Sequence, residues 1–136
     1  MESGRLIMIA EKTYKYIESC SSWGYSYSKT NCVDFVLGYL AEVHGNVHEH
    51  IRIPKRKFIR MSYESFATYF SNLIDIPHEK NVRLAKIGDI MLFAKAKRNR
   101  PALGICVGRN IALLHGSGVG IDLNNSILDC NYLWRV

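Results

Sequence analysis

Apolar residues in this chain change their spacing once, near residue 80, and that change constrains the fold more than any other feature. Before it they recur at helical intervals. Leu6, Ile9, Thr13, Tyr16 and Ile17 predict a helix over 5–19. A second helix is expected to start at Cys32, capped by Thr30 or Asn31, with Asp34 in its first turn and His44-Gly45-Asn46 as its stop. Residues 47–61 read as an irregular arm around Pro54, and Ser62 caps a third helix over 62–74. After residue 82 short apolar runs are bounded by turn residues: 90–93, 103–108, 111–115, 119–123 and 132–136 read as strands, with Gly108-Arg109-Asn110 as a hairpin turn. Helices followed by a meander give an α+β fold, with N-terminal helices packed on a C-terminal antiparallel sheet or small barrel. At 136 residues, 48% hydrophobic and 22% charged, the chain can bury one core, so a single domain over 1–136 is expected.

Cys20, Cys32, Cys106 and Cys130 contain no C-x-x-C pair, which argues against a zinc ribbon. A domain of this size needs no disulfide staples, so the thiols are expected to stay mostly reduced in a cytosolic product. The apolar run Leu6–Ala10 is too short for a signal-peptide core, and no stretch approaches a membrane span. No metal or other cofactor is expected.

Cys32 is the residue with the most chemistry in its position. A helix N-terminus stabilises a thiolate through its dipole and free N–H groups, which can also hold an oxyanion. Acyl transfer further needs a base. By itself, a lone cysteine is more often a small buried hydrophobe.

Five segments occur in a telling order: Trp23-Gly24, Asn31-Cys32-Val33-Asp34-Phe35-Val36, Lys86-Ile87-Gly88-Asp89-Ile90-Met91-Leu92-Phe93, Leu103-Gly104-Ile105-Cys106-Val107-Gly108 and Leu114-His115-Gly116. Together, across residues 22–120, they resemble the NlpC/P60 family of papain-like cysteine peptidases and amidases. In that family D-C-S-x-F-V carries the nucleophile, followed by P-G-D-L-x-F-F, H-V-G-I-Y-x-G and an I-H-A-like strand. The resemblance implies Cys32 as nucleophile. It departs from the family at Asn31 for Asp, at Val33 for the small residue, and at Ala102, which aligns with the base histidine. His115 aligns with the polar residue that orients that base. The C-terminal third, from Gly88-Asp89-Ile90 through Ala102–Gly108 to Leu133–Val136, is similar to small proteins encoded in tailed-phage tail clusters. That likeness implies a tail-assembly or tail-tip component, made in the bacterial cytoplasm and associated with the virion, whose partners are other tail proteins and peptidoglycan.

Two readings of function follow. In one the domain is a degenerate hydrolase retained as a structural or adaptor module. In the other it cleaves peptidoglycan peptides with Cys32 as nucleophile and His115 as base, and Trp23 and Tyr25 line a groove beside the thiol. Aromatic packing over the helix is an equal reading of the last pair.

The net charge of +6 favours acidic partners. Half of the 18 Lys and Arg residues fall in two runs, Arg52, Lys55, Arg56, Lys57, Arg60 and Lys95, Lys97, Arg98, Arg100. Such runs are usually solvated loops. Docking on acidic neighbours is the functional reading, with Lys55, Arg56, Lys57, Lys97 and Arg98 as contacts. A nucleic-acid-binding role ranks third, because aromatic interleaving is thin and no recognition motif is present. His44, His48 and His50 lack the spacing of a zinc helix and read as a polar loop, with His44 facing the end of its own helix. His78 reads as a surface residue. Gly116–Gly120 lacks the lysine of a phosphate loop and reads as a turn.

Overall fold

A computed structural model of the chain describes residues 2–24, 31–49, 53–93, 102–114 and 119–136. Four α-helices come first: α1 (Glu2–Ser19), α2 (Cys32–His44), α3 (Lys55–Arg60) and α4 (Tyr63–Ile74). Five strands follow: β1 (Ile90–Phe93), β2 (Ala102–Cys106), β3 (Asn110–Leu114), β4 (Ile121–Ser126) and β5 (Cys130–Trp134). They form one antiparallel sheet in the order β4-β3-β2-β1-β5, so the fold is α+β.

Local chemistry explains most of the boundaries. Asn31 caps α2: its side chain accepts from Val33 N at 3.0 Å and Asp34 N at 3.1 Å. Asp34 Oδ2 accepts from Asn31 N at 2.8 Å, completing a reciprocal box. Gly45 ends α2 in the left-handed region at φ 71°. Ser62 caps α4 by accepting from Ser65 N. Between them, the arm expected over 47–61 contains α3, a six-residue helix that the sequence reading missed. Pro54 sits just before it and accepts from Lys57 N at 2.9 Å, a proline position that helix starts tolerate well. The last strands also differ from expectation. β4 begins at Ile121 rather than 119 and runs to Ser126, and β5 runs from Cys130 to Trp134 rather than 132–136, because a 3-10 turn over Ile127–Asp129 separates them.

The sheet is covered on both faces. Ile90, Leu92, Leu103, Ile105, Ala112, Leu114 and Trp134 pack against α1, α2 and α4 in the main core. The alternate positions Met91, Phe93, Cys106, Ile111, Leu113 and Leu133 form a smaller core on the other face, which is why β1–β3 read as continuous apolar runs. Two glycines make the close approaches possible. At Gly104 a Cβ would lie 2.7 Å from the Ala112 carbonyl oxygen, and at Gly88, with φ 97°, 2.7 Å from the Tyr39 hydroxyl. Among the described residues, no helix is long and apolar enough to cross a membrane.

Candidate functional site

Cys32 occupies the first position of α2, directly after its Asn31 cap, and the packing of α2 on β2 decides its environment. The thiol is buried, with 9% of the residue exposed. The sheet register places Leu92 opposite Leu103 and Phe93 opposite Ala102. Leu103 therefore belongs to the helix-facing core with Cys32, while Ala102 packs with Phe93 on the opposite face. The Leu103 backbone lies near enough the Cys32 sulfur to favour its thiolate.

The protonation state of Cys32 follows from this burial. Desolvation pushes the thiol up from an ordinary 9.0 to about 11. Backbone N–H groups of Leu103, Cys32 and Val33 pull the other way, the Asp34 carboxylate adds to the rise, and burial wins. Burial thus works against the lowering expected from the helix start. Part of the reason is local, since Asn31 already takes the Val33 and Asp34 amides. Cys20, Cys106 and Cys130 are likewise buried, and burial raises each of them too, Cys130 to about 12. All four thiols are free.

The other residues singled out in the sequence are placed unevenly. Trp23 is partly buried and lies edge-on to Tyr16 at 6.3 Å and to Phe35 at 6.4 Å, so its ring packs over α1 and α2. Its carbonyl accepts from Gly120 N at 2.8 Å, and Gly24 bridges to Val119. That tie anchors the chain immediately after residues 115–118. Arg56, Lys57 and Arg60 are exposed on α3, whose first residue is Lys55. Tyr25, Lys97, Arg98, His115 and His50 lie outside the described residues. The described residues hold no cluster of His, Cys, Asp and Glu suited to a metal.

Two histidines take roles that the sequence did not suggest. His44 Nε2 bonds the Tyr39 hydroxyl at 3.0 Å, and that hydroxyl meets Thr13 Oγ1 at 3.0 Å, so His44, in the last turn of α2, also closes a polar chain between α1 and α2. Burial, and then Lys12, hold its pKa below the usual histidine value. His78 is half-buried rather than a plain surface residue. Its Nδ1 lies 2.8 Å from Ser71 Oγ, which also accepts from Trp134 Nε1 at 2.9 Å. Only the burial of Trp134 against α4, set by β5 pairing with β1, could have revealed this cluster.

Comparisons with known proteins agree with this architecture. A family model described as a domain of unknown function (DUF6950) matches residues 5–136. A crystal structure titled as the NlpC/p60 domain of peptidoglycan hydrolase SagA superposes with a TM-score of 0.55 at 15% identity, covering 96% of this chain and 98% of that one. At that identity the likeness is one of fold. No curated protein matches the sequence.

Proposed function

The chain belongs to the family of domains designated DUF6950, and from that membership and its NlpC/P60-like fold we propose that it is a degenerate hydrolase domain retained as a structural or adaptor module. The observation that carries the reading is the burial of Cys32 in the helix-facing core with Leu103, which pushes its thiol up to about 11. A nucleophile of this class needs ready conversion to thiolate. The setting of Cys32 favours the thiol, as in a packed core residue.

The assembly assigned to the module is that of a tailed-phage tail, with other tail proteins as partners, peptidoglycan as the nearby surface, and the virion as its final place. This part rests on the sequence likeness of residues 88–90, 102–108 and 133–136. Co-expression with neighbouring tail proteins tests it. A stable complex that survives Cys32→Ala is expected. A protein that remains monomeric with all of them refutes the module reading.

One feature favours a second reading, a cysteine peptidase or amidase acting on cell-wall peptides. Cys32 keeps the first position of a capped helix with N–H groups at its sulfur, an arrangement that can hold an oxyanion. In this reading His115 is the base. Release of wall peptides by the folded protein, abolished by Cys32→Ser, would establish it over the module.

A further inference from the structure

The corner between α3 and α4 gathers cations. On α3, Arg60 lies one turn from both Arg56, at i,i+4, and Lys57, at i,i+3, and all three are exposed. With Met61, Ser62 and Ser65 they line a cavity of about 480 Å³. Among the described residues, no carboxylate forms an ion pair with any of the three. Like charges one turn apart repel, so a six-residue helix carrying four basic residues gains from an anion between them.

The serines narrow the class of anion. Ser62 Oγ accepts from Ser65 N at 3.1 Å and donates to Ser65 Oγ at 2.9 Å. The Ser65 hydroxyl proton then has no acceptor among the described residues. The cavity thus presents guanidinium, ammonium and hydroxyl donors at the start of the 12-residue helix α4, whose positive dipole end adds to them. Glu64, in the first turn of α4, is the only acidic residue between 55 and 74. A lining of donors suits a ligand that only accepts, through several oxygens and with more than one negative charge. Arginine forks match tetrahedral oxyanions in this way.

We propose that the α3–α4 corner binds a phosphate monoester, held by Arg56, Lys57 and Arg60 with the Ser65 hydroxyl. The site does not depend on the chemistry of Cys32. The full chain, labelled for amide NMR, is titrated with inorganic phosphate and with glycerol 3-phosphate at fixed ionic strength, and with acetate as control. Saturable shifts confined to residues 56–65, weaker by at least about tenfold in R56Q/R60Q, support the proposal. The same weakening in K57Q, with the spectrum otherwise unchanged, guards against a folding artefact. Equal response to acetate, diffuse shifts at every lysine and arginine, or saturable binding of an oligonucleotide but of neither phosphate nor glycerol 3-phosphate would each overturn it.

Discussion

Leu103 shares the helix-facing core with Cys32, while the side chain of Ala102, one residue earlier, lies on the other face of the sheet. Burial under β2 pushes this thiol up from 9.0 to about 11. At neutral pH the thiolate fraction is then about 100-fold below that of an ordinary thiol. Alkylation by iodoacetamide is expected to be slower by about that factor than for a free cysteine, with Cys130, pushed up to about 12, the slowest of the four and no marked preference for Cys32 over Cys20 or Cys106. Mass-spectrometric mapping of the labelled sites measures this. Labelling of Cys32 alone within minutes at pH 7 would refute the account.

The same shift makes stability depend on pH. The unfolded thiol ionises near 9.0 and the folded one near 11, so the unfolded state loses its proton first. The contribution is fully present below 9.0 and is lost as pH rises through about 11. Two units correspond to about 2–3 kcal/mol. Chemical denaturation at pH 8 and pH 11 is expected to show a smaller alkaline loss in Cys32→Ala than in the parent, the remaining thiols and tyrosines being common to both.

Ala102→His restores the residue type at the position aligned with a base, yet side chains alternate along a strand. Position 102 pairs with Phe93 and packs with the smaller core. The substitution is therefore expected to leave the alkylation rate of Cys32 within about threefold of the parent, with rates this close reflecting no new base. A large acceleration, with a pH profile centred near the histidine range, would show that the imidazole reaches the sulfur.

Gly88 and Gly104 carry the motif likeness, and packing alone accounts for them. Gly88 combines φ 97° with the Tyr39 hydroxyl where its Cβ would stand, and Gly104 has the Ala112 carbonyl there. Gly88→Ala is expected to cost about 2–4 kcal/mol, from the backbone conformation and the displaced Tyr39 together. Gly104→Ala meets backbone rather than a movable ring and should cost at least as much. Urea denaturation gives both values. A near-neutral Gly88→Ala would mean that the Tyr39 hydroxyl moves freely.

What could be read from the sequence was what short-range chemistry determines. Asn31 with Asp34, Ser62 and Gly45 announce their helix ends within four residues, and the apolar runs announce β1 to β3. Helix α3 gave no such signal, because Lys55–Arg60 is basic nearly throughout and shows no apolar period of its own. The candidate site depended on facts further away. A one-residue step in strand register decides whether position 102 or 103 faces Cys32, and the covering strand decides whether a helix-start thiol ionises. Neither is written near residue 32.

The link between Trp134 and Ser71 spans 63 residues and ties the last strand to α4. The indole donates to Ser71 Oγ at 2.9 Å, His78 Nδ1 meets the same oxygen at 2.8 Å, and the Trp134 ring stands edge-on to Phe70 at 4.9 Å. Trp134→Phe keeps most of the apolar contact but removes the donor, and should cost about 1–2 kcal/mol. Trp134→Ala empties the core position and should cost about 3–5 kcal/mol. Ser71→Ala removes the acceptor from the other side. If the hydrogen bond holds strand to helix, Trp134→Phe and Ser71→Ala in a double-mutant cycle will couple by about 1 kcal/mol. Strict additivity would show that the ring's packing, rather than its N–H, fixes the C-terminal strand.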